Sequence, residues 1–494
     1  MQSNENTSTR DGIHSIAHNA TFLMLSKVLE KGFRFVYIII LARNLGPEDV
    51  GLYNFGISWY LIFLPLSMWG LHMYLSLELG SKLKPRAEVV SRALHVRILA
   101  SVIGFTACLL LGLLTVESSR LVLLIMLFSV ALFGRSFAVF GRSLFIAEEQ
   151  SSYSAISETG FRIVEFVVGS LWLLLGGGLL GASAVHAFVW LSEGTVMSVF
   201  SMSKLDLRMQ RIPLSHVREL VVQCLPFALY TLLWMGFMQI GMVLLKNLAS
   251  DQAHLGYYGI SFQLISNLVL LPQVFSQAAM PVLSRVHIRG SRENEIFLET
   301  TIKLSSLIST SLILFMLFFR EWGIELLFSH EYGPAGDVLL VFSFCSIFLF
   351  AIPNLDKIVL SSGKTIQAVV MNLLAFLLTV GLTLVLYPRY SFLSPALAMT
   401  CSSFVLFMII LFFIHTSIFR LNWGRMVIRP YAYSASTLGL ALILAEHTWI
   451  GFLSGLSAIL LLFIFGGVFS KDEKAYFRKL VPISLFDTRK SNNP

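Results

Sequence analysis

A chain of 494 residues that is 56% hydrophobic and only 13% charged, with a mean hydropathy of +0.77, is too apolar to be solvated by water alone. Soluble proteins carry about 25% charged residues. The net charge of +8 and pI near 9.3 would suggest nucleic acid in a soluble protein, but the cations gather in short loops, which membrane topology explains with no nucleic acid partner.

The polar start MQSNENTSTRDG precedes an apolar segment too long and too charged for a cleaved signal region, so it is expected to remain in the mature protein. A membrane-crossing helix needs about 20 mostly apolar residues. Segments of that kind fall at 16–42, 52–76, 93–116, 121–146, 153–176, 179–201, 218–246, 256–284, 296–320, 338–360, 364–388, 392–416, 428–446 and 449–470. Loops between them are too short for a separate soluble domain. Cysteines 108, 224, 345 and 401 sit in apolar runs without paired spacing, which argues against a disulfide frame or zinc site.

The first span carries Lys27, Glu30, Lys31 and Arg34, and the spacing of Lys27, Lys31 and Arg34 makes one stripe on a helix. The third span has Arg97 near its cytoplasmic end. Arg135 and Arg142 share a face of the fourth, Glu158, Arg162 and Glu165 a face of the fifth, and His186 and Glu193 a face of the sixth. A charge at the bilayer centre costs about 2.5–3.5 kcal/mol on insertion scales, and such residues face a bundle interior or a wet cavity.

Two readings of these charges stand side by side. In one, Lys27, Lys31, Arg34, Arg135, Arg142 and Arg162 bind a phosphate or diphosphate, which suits the guanidinium fork. In the other the charges neutralise one another, with Glu30–Arg34 and Glu158–Arg162 as i, i+4 pairs. The deep cations outnumber the deep anions Glu30, Glu158, Glu165 and Glu193, so a negative visitor is expected. Those four carboxylates are candidates for charge pairing or for a coupling Na+ or H+; no metal site and no catalytic group are expected. Arg97 and Arg142 are placed either to snorkel to the cytoplasmic face or to act as ligands, and His186 is expected to be a satisfied interior histidine, with a proton carrier as the alternative. The later spans offer Gln239, Asn267, Gln273, Gln277, Asn372, Asp356 and Lys357, with Pro226, Pro272 and Pro353 as expected helix interruptions.

Lysine and arginine concentrate in alternate loops: at Lys82, Lys84, Arg86 and Arg92, at Lys204, Arg208, Arg211 and Arg218, at Arg285, Arg289 and Arg292, at Lys364, and at Arg420, Arg425 and Arg429. The last cluster is Lys471, Lys474, Arg478 and Lys479. The positive-inside rule then puts both termini in the cytoplasm, consistent with an even number of spans. The chain also repeats itself. LARNLGPEDVGLYNFGIS (41–58) aligns without a gap on LLKNLASDQAHLGYYGIS (244–261), each at the exit of the first helix and entry of the second in a six-helix unit. Six is even, so the units share one orientation, an arrangement of alternating-access transporters. The expected fold is an all-α, polytopic membrane protein of about fourteen helices: lobes 1–210 and 211–420 around a central cavity, then two helices and a cytoplasmic tail over 421–494.

YIIILARNLGPEDVGLYNFGIS (37–58), with GYYGISFQLISNLVLLPQVFSQAAMPVLSRV (256–286) and EYGPAGDVLLVFSFCSIFLFAIPNLDKIVLSSGK (331–364), resembles the polysaccharide-export branch of the multidrug/oligosaccharidyl-lipid/polysaccharide exporter superfamily, the O-antigen-type flippases. Glu78 stands where members often have a basic residue, and PRYSFLSPALAMT (388–400) lacks the usual glycines. The resemblance implies movement of an undecaprenyl-diphosphate-linked oligosaccharide across the bacterial plasma membrane, membrane lipids as surroundings, and polysaccharide polymerase machinery as a candidate partner. Within the superfamily a lipid II flippase and a cation-coupled multidrug extruder are the alternatives. A polymerase or ligase enzyme is disfavoured by short outward loops and by the lack of a nucleophile elbow or phosphate-binding glycine loop.

Overall fold

The computed structural model describes residues 2–269, 291–444 and 448–465, except positions 82, 117 and 208; side chains are described from Ser26 onward, except at 77, 81, 291–294 and 463–465. Outside the described residues lie Lys82, Arg208, Pro272, Gln273, Gln277, Arg285, Arg289, Glu446 and the basic tail from Lys471, along with the Arg292 side chain. All regular secondary structure among the described residues is helical. Among the described residues seven stretches are long and apolar enough to cross a membrane: Ser26–Met68, Arg86–Thr115, Ser119–Ala147, Leu214–Leu248, Glu295–Leu327, Ala335–Ser361 and Thr365–Ser417.

The first and last of these run for 43 and 53 residues. At 1.5 Å per residue each is about twice the 30 Å hydrocarbon thickness, so each holds two spans. In α1 (Gln2–Met68) the division is at Gly46, whose φ of +74° is costly for any residue with a Cβ, followed by Pro47. A second break at Trp69 and Gly70, both with positive φ, separates α1 from α2 (Leu71–Ser81), so the expected 52–76 span is bent near its end. Next come α3 (Arg86–Thr115), α4 (Ser119–Ala147), α5 (Ser151–Leu174) and α6 (Leu179–Lys204). They are followed by α7 (Leu214–Leu248) and α8 (Ala253–Leu268). Pro226 lies inside α7 without ending it, contrary to the expected interruption.

Beyond position 290 are α9 (Ser291–Leu327), α10 (Ala335–Leu349), α11 (Ile352–Ser361), α12 (Thr365–Tyr390), α13 (Ser394–Ser417), α14 (Arg429–Ile443) and α15 (Thr448–Phe465). Here Pro353 does mark a break, standing in the first turn of α11 where its missing N–H is harmless.

Two compact units are present. One comprises residues 1–267, 323–338 and 365–402; the other comprises 268–322, 339–364 and 403–494. In the first unit α4 lies along α6 with backbones in contact: the space for a Cβ on Gly194 is filled by the carbonyl of Gly134, and a Cβ on Gly141 would lie 2.5 Å from the Met197 carbonyl oxygen. Small residues that let helices approach this closely are a common means of packing in membranes, where lipid gives no hydrophobic drive between helices. In the second unit a buried polar stripe on α9 meets α14, with Ser306 Oγ 2.8 Å and Thr310 Oγ1 2.7 Å from Ser434 Oγ. The fully buried Lys303 pairs with Glu299 at 2.5 Å, and Arg425 reaches the same carboxylate at 2.7 Å.

Candidate functional site

The close approach of α4 to α6 faces Arg135 and Arg142 towards Trp190 and Glu193, and α5 brings Glu158, Arg162 and Glu165 to the same interior. The result is a chain of ion pairs across four helices. Lys27 of α1 lies 3.3 Å from Glu30 and 2.6 Å from Glu158. Glu158 and Glu193 share Arg142 at 3.0 and 2.9 Å. Glu193 also holds Arg162 at 2.7 Å, and Arg162 pairs with Glu165. Glu165 ends the chain at His186 Nδ1, 2.5 Å away. The ring's other nitrogen is 3.4 Å from the Tyr60 hydroxyl, which accepts a 2.7 Å bond from Arg135. With Tyr60 donating to Nε2 of His186, the Nδ1 proton goes to Glu165 and the imidazole is neutral; with Nε2 protonated and donating to Tyr60, the ring is a cation paired with Glu165.

The partners differ from the helical i, i+4 expectation. Neither Glu30–Arg34 nor Glu158–Arg162 forms; the short-range pairs present are Lys27–Glu30 and Arg162–Glu165, each three apart. Most pairing crosses between helices, which a buried carboxylate favours because two or more cations can then satisfy its oxygens. Arg97 does not snorkel. It is fully buried, and its Nη1 donates to the Ser67 carbonyl at 3.1 Å, near the break that ends α1, and to Ser136 Oγ at 3.2 Å. Arg142, 8% exposed, is likewise interior and ion-paired. His186 is buried and bonded on both nitrogens, as an interior histidine should be.

Lys31, Arg34 and Arg135 are different. Among the described residues none of them lies within 4 Å of a carboxylate, and all three line one cavity of about 190 Å³. Arg135 is held by Tyr60 and by the face of Trp190, 4.6 Å from its centroid. Arg162 covers the same indole at 3.8 Å, so Trp190 spaces a paired arginine from an unpaired one. A smaller adjoining cavity of about 30 Å³ shares Arg34, Ile57 and Gln263 with the first and is bordered by Glu30, Arg162 and Glu165. Nothing in the sequence pointed to Tyr60 or Trp190, since an aromatic residue in an apolar span has no distinguishing pattern.

The far wall of the large cavity comes from α7 and α8 and contains Trp234, Gln239, Gln263 and Asn267. Over it, the two copies of the repeat meet. Gln263 donates to Asn54, a Cβ on Gly51 would lie 2.6 Å from Leu255 Cβ, and Gly256 abuts the Pro47 carbonyl. Arg43 and Tyr332 tie this end further, Arg43 donating to the Leu326 and Leu327 carbonyls at 2.5 and 3.0 Å and Tyr332 to Ala42 at 3.1 Å. Among the described residues no cluster of three or more His, Cys, Asp or Glu is arranged to hold a metal.

The family profile described as polysaccharide biosynthesis protein matches residues 16–287, more than half of the chain, and the MatE profile matches 226–385. A capsular polysaccharide biosynthesis protein of Staphylococcus aureus, CapF, is 23% identical over 407 residues, which is 78% of this chain and 96% of that one. Among solved structures, the lipid II flippase MurJ in an inward closed conformation shares the fold with a TM-score of 0.69 at 15% identity, covering 92% of this chain and 98% of its own. The MATE multidrug transporter DinF-BH gives 0.62 at 16%, covering 81% and 95%. An all-helical, multi-pass membrane chain of this fold, matched over more than half its length, belongs to the polysaccharide biosynthesis protein family.

Proposed function

We propose that this protein is a flippase that carries an undecaprenyl-diphosphate-linked oligosaccharide from the inner to the outer leaflet of the bacterial plasma membrane, by alternating access, for surface polysaccharide synthesis. The observation that carries the reading is the cavity onto which Lys31, Arg34 and Arg135 open, with no carboxylate among its described lining residues. Cations held in a desolvated site without anionic partners offset the desolvation of an incoming anion, and arginine meets phosphate oxygens in pairs. The isoprenoid tail stays in the bilayer, and the reading needs no covalent chemistry. Lys27, Arg142 and Arg162 are already committed to carboxylates.

A multidrug extruder of organic cations is disfavoured by the same feature, because the unpaired charges have the wrong sign for its cargo. The Glu165–His186 pair at the end of the ion-pair chain is the best-placed group for coupling to H+, and Na+ remains the other candidate driver. The test is lipid analysis of cells lacking the protein. Undecaprenyl-diphosphate oligosaccharide should accumulate on the cytoplasmic side, with surface polysaccharide lost and restored by the wild type but not by Arg34→Ala. Accumulation of lipid II instead assigns the protein to peptidoglycan. Unpolymerised repeat units in the outer leaflet sink the flippase reading and favour a polymerase or ligase.

A further inference from the structure

Tyr60 stands between a cation of the large cavity and the buried histidine, and its hydroxyl makes the two depend on each other. It is fully buried on α1. Its oxygen accepts from Arg135 Nη1 at 2.7 Å and lies 3.4 Å from His186 Nε2. The ring is stacked on Phe128, with centroids 5.8 Å apart and 12° between the planes, which fixes the oxygen between those two neighbours.

A phenol has one proton to give. While Nε2 is bare, Tyr60 gives that proton to His186 and its lone pairs serve Arg135, each bond strengthening the other. Adding a proton to the His186–Glu165 pair turns Nε2 from acceptor to donor, whether the proton is counted on the ring or on the carboxylate. Tyr60 then faces two donors, and its own proton has lost its acceptor. A diphosphate in the cavity resolves the conflict, because it draws Arg135 off the hydroxyl and leaves the oxygen to Nε2.

Charge acts in the same sense. Among the described residues, the charged groups facing His186 are Glu165 and Arg162 of α5, Arg34 of α1 and, behind Tyr60, Arg135 of α4. On its own helix Glu193 is taken up by Arg142 and Arg162, while Tyr53, Phe128 and Trp190 surround the ring without charge. A diphosphate on Arg34 and Arg135 therefore brings negative charge to a ring that otherwise faces three arginines and one carboxylate. The small cavity gives a proton its route: His186, Glu165 and Arg34 line it, and its 30 Å³ is room for about two waters. Trp190 Nε1 and Arg162 Nε, on the same cavity, are buried donors with no protein partner.

Resting on the diphosphate reading above, we propose that Tyr60 is the positioning residue for Arg135 and that it ties cargo binding to uptake of a proton by the His186–Glu165 pair. Arg135 leaves Tyr60 for the phosphate, and His186 Nε2 takes its place as donor. By reciprocity the proton raises cargo affinity by the factor by which cargo favours the proton. Affinity is then highest at a pH below the titration of the pair in the empty site, and it falls as pH rises through the titration in the loaded one.

The purified full-length protein is titrated calorimetrically with the methyl diester of geranyl diphosphate, which as a diester keeps the same two charges over about pH 5.5–8, the range in which histidine titrates. Buffers of different ionisation enthalpy give the protons taken up per ligand. The wild type should take up a measurable fraction of one proton, and its affinity should fall about fivefold or more across the range. His186→Gln should bind with neither uptake nor a falling profile, and Tyr60→Phe should bind and lose most of both. Each variant is first checked for a wild-type unfolding temperature, and Arg135→Gln replaces Tyr60→Phe if that one does not fold, since the exchange needs both residues. No uptake by the wild type, or undiminished uptake in a folded variant, overturns the proposal while the diphosphate reading stands. No binding of the diester to the wild type, or equal binding to Arg34→Ala, defeats the diphosphate reading and the linkage with it.

Discussion

Six interior cations look equivalent along the helices and are not equivalent in space. Arg162 and Glu193 are 6% and 0% exposed and joined at 2.7 Å, so removing either leaves a buried charge uncompensated. Such truncations cost about 3–5 kcal/mol; Arg162→Ala and Glu193→Ala should each lower the unfolding temperature in detergent sharply and reduce the amount of protein in the membrane. Arg34→Ala and Lys31→Ala remove charges that form no close ion pair among the described residues, so both should destabilise the fold less than Arg162→Ala does and fail to restore surface polysaccharide. A thermal-unfolding series run beside complementation separates the two groups, and equal destabilisation by Arg34→Ala and Arg162→Ala would refute the sorting. The stripe of Lys27, Lys31 and Arg34 is legible in the sequence because helical spacing alone makes it. Its division into paired Lys27 and unpaired Lys31 and Arg34 is not, because the deciding partner, Glu158, is 131 positions away on another helix. The buried Lys303–Glu299 pair, reached by exposed Arg425, escapes notice for a related reason: Arg425 lies in a segment that reads as a topological cation.

At the scale of the helix, glycine placement decides how near two elements come. The repeat 41–58 and 244–261 can be found by aligning the chain on itself, but that its two copies pack against each other follows from Gly51 and Gly256, where side chains are missing on facing surfaces. Asn54 and Gln263 close the contact directly over the cavity, since both also line it. Gly256→Val puts branched carbon where the Pro47 carbonyl now sits, in a core packed too tightly to absorb it. The contact should then stay open. A cysteine introduced at Ser58, which is 3% exposed in the wild type, should react with an impermeant thiol reagent several times faster in the Gly256→Val background, with exposed Cys401 first replaced by serine. Unchanged reactivity would mean that these glycines serve packing alone and do not control access. Gly259, against Asn54, is a second site for the same comparison.

Over the whole chain, the loops of the first unit sort into two ends by contact as well as by charge. At one end Arg86 pairs with Glu148 at 3.0 Å, Gln210 donates to Ser91 at 2.9 Å, and Trp69 donates to the Val221 carbonyl at 3.0 Å. At the other, Arg120 grips Asp49 at 2.8 and 2.7 Å, and Tyr387 donates to the Leu248 carbonyl at 2.7 Å. The first end collects Lys84, Arg86, Arg92, Arg211 and Arg218; the second has scattered cations, of which Arg43 and Arg120 are occupied by local partners. Short loops rich in lysine and arginine are retained on the cytoplasmic side, whereas cations neutralised within the fold do not set orientation once the helices have assembled. Alkaline phosphatase fused after position 118 or 250 should therefore be active, and green fluorescent protein fused after 84, 212 or the C-terminus should fluoresce. The connection at 148–150 gives the stricter test, because its two glutamates argue for neither side by charge while the Arg86–Glu148 pair places it with the basic loops. A phosphatase fusion there should be inactive. Activity at 148–150 together with inactivity at 118 would invert the molecule in the membrane, turn the repeat contact towards the cytoplasm, and make the closed end the one from which cargo must enter.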